Sequence, residues 1–286
     1  MNATSCLKPY RSTVTFVSFL AILLMGYYFY PNSTALTAQQ TDEIELSQLT
    51  WVEVRSLIQD GKTSIIIPTA GIEQNGPHLI LGKHGHVVRH TALAIAQKLG
   101  NALVAPIIET VPQGSIDPRT GHMNFSGTIS IPEEVYALIL EHTARSFMSH
   151  GFKTIIFIGD SGGNQNSQKR VANELSDEWQ SFNTKVLHIS NYYSLNGQED
   201  WLRANGYTDR QIGTHAGIRD TSELLFVFPK GVRKNYLSLD TNYYTERIGS
   251  NGEPSLGTKE IGAMMLKLKV ESAVAQIKLL MNTAYE

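Results

Sequence analysis

Ser64-Ile65-Ile66-Ile67-Pro68-Thr69-Ala70-Gly71-Ile72-Glu73-Gln74-Asn75-Gly76-Pro77-His78-Leu79-Ile80-Leu81-Gly82-Lys83-His84 is the stretch on which the fold reading turns. Its run Ile65-Ile66-Ile67 reads as a buried strand from Ser64 to Pro68. β-Branched side chains suit a pleated sheet, and a short unbroken apolar run suits a strand covered on both faces. Glu73 to His84 then pack a carboxylate, amides, two imidazoles and two glycines into one loop. In open α/β sheets ligands bind at the C-terminal ends of strands, so this polar cluster lies where chemistry is expected.

Working outward, strands and helices alternate. Glu43 to Asp60 carries Leu46, Leu49, Val52, Leu57 and Ile58 at helical spacing. His90 to Leu99 reads as a helix stopped by Gly100, and Ala102 to Ile108 as a second strand. Pro132 to His150 is a helix with Pro near its start and Gly151 at its end. Thr154 to Ile158 is a third strand, Gln168 to Phe182 a helix, and Lys185 to Ser190 a fourth strand. Asn191 to Gly217 is polar and reads as an irregular active-site loop, with Tyr192, Tyr193 and Trp201 shaping a pocket. Ser222 to Val227 leans helical, and a helix from Thr258 to Met281 closes the pattern. The fold class is α/β: a three-layer α/β/α sandwich with a mostly parallel sheet.

The chain has 286 residues, 42% hydrophobic and 17% charged, enough for one large α/β domain or two small ones and too apolar for general disorder. A formal charge of −2 with no Lys/Arg block argues against a nucleic-acid partner. Lys8 and Arg11 precede an apolar run, Val14 to Tyr30, and then small residues to Ala38. That order predicts a secretory signal cleaved near Ala35 or Ala38, or a retained membrane anchor at residues 14–30. Residues 1–38 are thus expected as leader or anchor and 39–286 as the catalytic domain, periplasmic or extracellular. Any membrane contact would come through the N-terminal segment alone. The single cysteine, Cys6, lies in that segment. A mature domain would have neither disulfide nor thiolate, leaving His, Asp, Glu or amide oxygen to hold a metal.

Four segments carry candidate chemistry. In the first, Glu73 and His84 are suitable ligands for a borderline cation, or else members of a polar loop. Gly159-Asp160-Ser161-Gly162-Gly163 matches the nucleophile-elbow pattern, with His215 downstream and Asp200 or Asp209 as orienting acids. An anion-binding turn or a plain tight turn reads equally well there. His122, in Thr120-Gly121-His122-Met123-Asn124-Phe125-Ser126-Gly127-Thr128-Ile129-Ser130, is a candidate proton shuttle or an ordinary loop residue. His215, in Gly213-Thr214-His215-Ala216-Gly217, is flanked by small residues that permit close approach, while Asp220 and Ser222 read as helix caps.

In order and rough spacing these segments resemble the creatininase (creatinine amidohydrolase) family, over about Trp51 to Pro229. Its members show E-Q-H-G-P-H-L-P-L-x-x-D after a strand, then H-x-x-F-P-G-T-I-S, N-G-H-G-G-N and G-H-A-G-x-x-E-T-S. The resemblance implies an α/β/α sandwich, usually a homo-oligomer, that hydrolyses non-peptide C–N bonds in small cyclic or linear amides. It implies one or two divalent metals, with Zn expected first and Mn or Fe as alternatives. Glu73 matches the family's ligating glutamate, His122 the H-x-x-F-P-G-T histidine and His215 the H-A-G histidine.

Three positions depart from the pattern: Asn75 replaces a histidine, His84 an aspartate and Ser161 a histidine. Asp160 is a new carboxylate beside the last. The expectation is therefore one mononuclear site of Glu73, His84 and Asp160, with His122 and His215 as catalytic proton-transfer or substrate-polarising groups. Asn75, His78, Ser161, Gly162 and Gly163 are expected to bind the small-molecule amide. A serine hydrolase using Ser161 and a catalytically inactive binding protein are the alternatives.

Overall fold

The computed structural model describes residues 41–237 and 248–282. The expected leader or anchor, residues 1–38, lies outside them. Helix α1 (Trp51–Gln59) leads into strand β1 (Ser64–Thr69), then α2 (Lys83–Leu99), β2 (Ala102–Val104), α3 (Glu133–Ser149), β3 (Thr154–Gly159), α4 (Gln165–Glu178) and β4 (Lys185–His188). Short helices α5 (Ser190–Tyr193), α6 (Gln198–Ala204) and α7 (Asp209–Ile212) precede α8 (Ile218–Val227) and the long α9 (Lys259–Asn282). The four strands are parallel in the order β2-β1-β3-β4.

Alternation along each strand builds two cores. Ile65, Ile67, Ile155 and Phe157 join Leu57, Tyr136, Leu140, Ala144, Val171 and Leu175, so α1, α3 and α4 cover one face. Ile66, Ile156 and Ile158 point the other way, into Val88, Ala92, Ile95, Val270, Ala273 and Ile277 of α2 and α9. Both faces of the sheet are therefore dry, which is why its strands read as unbroken apolar runs. Each fully buried Ile contributes about 1.5–3 kcal/mol relative to exposure.

Several boundaries differ from the sequence expectation. The first helix is split into a 3-10 turn, Leu46–Gln48, and α1, because Thr50 restarts it with a capping box. Its side chain accepts from the Glu53 N–H while the Glu53 carboxylate accepts from the Thr50 N–H at 2.7 Å. β2 stops at Val104, since Pro106 has no N–H to continue the ladder, although Ile108 still donates to the Pro68 carbonyl at 3.0 Å. α2 begins at Lys83 rather than His90, which puts His84 on its first turn. The expected irregular loop at 191–217 holds three short helices whose Tyr192, Leu202 and Ile212 are buried.

Candidate active site

β2 lies on one side of β1 and β3 on the other, so the chain's path reverses direction across the sheet between β1 and β3. A crevice opens at such a switch point, beyond the strands' C-terminal ends. Thr69 of β1 and Gly159 of β3 pair there, and the site residues follow each strand within a few positions. Glu73 sits in a loop tied by its own N–H to the Leu81 carbonyl at 3.3 Å, with Gly76 in the left-handed region at φ 66°. Asp160 and Ser161 come directly after β3. A Cβ on Gly163 would collide with the Pro112 carbonyl, so only glycine allows that approach.

Glu73, His84 and Asp160 do meet, but in a row. His84 Nε2 bonds Glu73 Oε1 at 2.9 Å and His84 Nδ1 bonds Asp160 Oδ2 at 2.9 Å. The two carboxylates thus sit on different nitrogens of one imidazole, and the three donors do not surround a common point. This corrects the expected Glu73–His84–Asp160 metal site. The row extends further: Lys269 Nζ of α9 donates to Asp160 Oδ1 at 2.7 Å and to Glu223 of α8 at 3.2 Å. Tyr192 OH donates to Asp160 Oδ1 at 3.2 Å, and Gln198 Nε2 to Glu223 Oε1 at 2.7 Å. Beside it, Lys83 Nζ bonds Asp220 Oδ1 at 2.6 Å, while Asp220 Oδ2 accepts from the Ala216 N–H at 2.7 Å.

Burial alone would discharge these groups, yet their mutual attraction outweighs it. Burial and Lys83 push His84 down, but the Glu73 charge and the bonds to Asp160 and Glu73 raise it to about 9. Burial pushes Glu73 up, and His84 overrides that to hold it at about 2. Asp160 and Asp220 are likewise held low against burial by Lys269 and Lys83. Both lysines are raised against burial, Lys269 chiefly by Asp160 and Lys83 chiefly by Asp220.

A second group converges on the same Glu73 carboxylate. Ligand atoms of Glu73, His122 and His215 all lie within 4.8 Å of one another. His122 Nε2 stands 3.9 Å from Glu73 Oε1, and the two imidazole rings are 4.7 Å apart. The Gln74 amide nitrogen lies 2.9 Å from His122 Nδ1 and 3.1 Å from His215 Nε2. Burial lowers the pKa of His215, favouring its neutral ring. His215 is presented by a turn in which Ala216 is left-handed, φ 52°, with its N–H held by Asp220. Asp220 is therefore an ion-pair partner inside α8, and Ser222 Oγ accepts from the Thr258 N–H at 3.1 Å; neither is the cap that the sequence suggested.

Ser161 Oγ donates to Glu73 Oε2 at 3.0 Å and accepts from Gln113 Nε2 at 3.1 Å. His215 bonds Gln74 instead, and the exposed Asp200 and Asp209 pair with Arg203. Ser161 is extended, φ −123°, without the strained turn of a nucleophile elbow. The Ser161–His215–Asp alternative is thus not assembled. A cavity of about 520 Å³ is lined by Glu73, His84, His122, Asp160, Ser161, Gly162, Gly163 and His215 among others. Asn75 and His78, expected at the substrate, are instead buried in the packing: Asn75 Nδ2 donates to the Glu73 carbonyl at 3.0 Å and His78 Nε2 bonds Thr221 Oγ1 at 3.1 Å. Tyr193 lines the cavity, whereas Tyr192 is buried in the ion-pair row and Trp201 packs against the small core of α6 to α9. Sequence reasoning missed Lys83, Glu223 and Lys269, all buried and charged. For Lys269 a signal existed: it occupies the apolar stripe of α9, four residues after Met265 and four before Ala273.

One carboxylate and two imidazoles are a donor set that Zn, Mn or Fe accepts, so Glu73, His122 and His215 fit one divalent ion. Gln74 qualifies the fit. Its Oε1 accepts from the Gly76 N–H at 3.0 Å, which turns its NH2 towards His122 Nδ1. A liganding histidine donates its outer N–H to an acceptor. Loading through His122 Nε2 therefore requires the Gln74 carbonyl oxygen to face that ring.

Known proteins share this arrangement of strands. A manganese form, "Creatininase Mn", superposes with a TM-score of 0.68 at 18% identity, covering 84% of this chain and 100% of that one. A mutant creatininase of "Zn-Zn type" gives 0.66 at 18% identity, covering 85% of this chain and 100% of that one. At that identity the likeness concerns the fold alone. A relative, the "Mycofactocin precursor peptide peptidase" of Mycobacterium ulcerans (strain Agy99), is 27% identical over 177 residues, 61% of this chain and 62% of the relative. The chain thus spans less than two thirds of that relative's length. Residues 47–277 match the creatininase family, described as creatinine amidohydrolase. That match runs from the turn before α1 into α9 and takes in every strand and every side chain of the crevice, and on it the chain belongs to the creatininase family.

Proposed function

We propose that this chain is a hydrolase cleaving a C–N bond, other than a peptide bond, in a small cyclic or linear amide, with one divalent ion held by Glu73, His122 and His215. The observation that carries this reading is the convergence of those three donors within 4.8 Å on the wall of the cavity. Zn is the first expectation, Mn or Fe the alternatives. When bound, such an ion supplies Lewis acidity to the amide carbonyl and to water.

The chain's own groups do the rest. Glu73 stays ionised near neutral pH because His84 holds it at about 2, so it is available as a charged ligand. His215, kept neutral by burial, has a lone pair to offer. Ser161, Gly162 and Gly163 line the cavity, which supports their reading as residues that bind the amide.

A peptide bond is the second reading, drawn from the named relative. An adjoining cavity of about 420 Å³ shares Tyr193, Gln198, Thr214 and Arg219 with the first, which favours a longer substrate. We also propose that the domain works outside the cytoplasm, on the strength of Lys8, Arg11 and the apolar run that follows. A homo-oligomer is part of the same proposal, supported by the family membership.

The test is elemental analysis of the purified chain, followed by turnover of a panel of cyclic amides, linear amides and short peptides before and after chelation. One ion per chain, with turnover of non-peptide amides lost on chelation and on His122→Ala, supports the proposal. Full turnover by ion-free protein overturns it, and an ion-free chain without turnover makes it a binding protein on an inherited scaffold.

A further inference from the structure

The buried row along the cavity wall is held together by side-chain ion pairs. Asp160 and Glu223 share Lys269, and Lys83 pairs with Asp220; all five of these side chains are buried. Lys269 is the pivotal member. It rises from the apolar stripe of α9 and places its ammonium between Asp160 of the β3 end and Glu223 of α8, at 2.7 and 3.2 Å. Each carboxylate already accepts from a neutral donor as well, Tyr192 OH on Asp160 and Gln198 Nε2 on Glu223. Two carboxylates converging on one cation are the core of a site for a hard divalent ion. Here a side chain occupies the place of the ion.

We propose that Lys269 is a built-in cation standing where a divalent ion would otherwise be needed, so that the Asp160–Glu223 pair is a latent metal site closed by its own lysine. The rationale is electrostatic. Uncompensated buried carboxylates are strongly unfavourable, and either a tethered ammonium or a bound ion removes the penalty. A tethered ammonium does so at any ion concentration, because it is part of the chain. The inference does not depend on whether Glu73, His122 and His215 hold an ion.

Four variants of the full chain test it: Lys269→Ala, Lys269→Met, Lys269→Arg and the double variant Lys269→Ala/Glu223→Gln. Each is dialysed against Mn²⁺ or Zn²⁺, its bound ions are counted relative to wild type, and its Tm is recorded with and without the ion. Lys269→Ala leaves both the space and the carboxylates; it should take about one more ion per chain than wild type and recover most of its lost Tm when the ion is added. Lys269→Met fills the space without charge and should gain no ion, as should Lys269→Arg. The double variant removes one carboxylate and should lose the extra ion. Should Lys269→Ala fold only with the ion present, refolding in its presence and absence reads the same dependence. The proposal is overturned if Lys269→Ala binds no more ions than wild type. An additional ion bound equally by wild type or by Lys269→Met overturns it too. Because every count is a difference from wild type, a chain that lacks amidohydrolase activity leaves this test intact.

Discussion

The two regions that meet at Glu73 make opposite use of its carboxylate. In one region Oε1 enters a row through His84, Asp160 and Lys269 in which every charge has a partner and almost nothing reaches solvent. In the other region His122 and His215 are half-buried, border the cavity and bond Gln74, with His122 Nε2 at 3.9 Å from Glu73 Oε1. The closed row resembles a core made of charges, and the open wall resembles a ligand site. Saturated bonding holds a side chain in place, and spare donor capacity lets it bind something else. Stability should therefore respond mainly to the row, and ligand binding mainly to the wall.

The sharpest way to break that contrast is Asp160→Ala. It takes one carboxylate from each of His84 and Lys269, leaving them only Glu73 and Glu223, and should cost about 3–5 kcal/mol in urea unfolding. A loss below about 1 kcal/mol would show that the row is not closed. Next in size is the alkaline limb. The folded pKa of His84 is raised above its ordinary value of 6.5 to about 9, so its contribution is fully present below about pH 6.5 and is lost as pH rises through 9. Urea midpoints measured from pH 7 to 10 should fall in that window; a flat profile would contradict the protonated His84.

On the wall, His122→Ala should remove ion binding and turnover while changing stability by under about 1 kcal/mol, since a half-exposed ring supports little packing. A large fall in the urea midpoint would merge the two regions. Gln74→Glu sharpens the comparison by putting a carboxylate acceptor behind both rings, and it should tighten divalent-ion binding by about 10-fold or more in calorimetric titration. The smallest effect belongs to His188, at the end of β4, whose Nε2 bonds Gln165 Oε1 at 3.0 Å. Burial lowers it to about 4, so its neutral form favours folding above about pH 6.5 and that benefit is lost as pH falls towards 4. His188→Gln should flatten part of the acid limb.

Much of the scaffold was legible. The isoleucine runs of β1 and β3 announced strands buried on both faces, and the polar stretch after each strand pointed to the crevice. The four site segments also pointed to the family through their order. The arrangement around His84 was not legible, because an imidazole with two neighbouring carboxylates serves equally well as an ion ligand or as the centre of an ion-pair row. Which one it becomes depends on the ring's orientation, set by the first turn of α2, and on the cation that reaches Asp160 from α9. The caps assigned to Asp220 and Ser222 failed for a similar reason: Gly217 starts α8 earlier, which turns Asp220 inward to Lys83.

What the amino-acid order determined alone was the local alternation: which runs are strands, which are helices, and where polar residues interrupt them. Backbone geometry and the burial of apolar side chains act over a few residues and leave periodic traces in a sequence. Tertiary structure alone decided the partners of the buried charges. Lys269 lies 109 residues beyond Asp160 in the chain, and only the docking of α9 against the sheet and α8 brings its ammonium to that carboxylate. Coulomb attraction depends on distance and on local polarity, neither of which can be read from position in the chain.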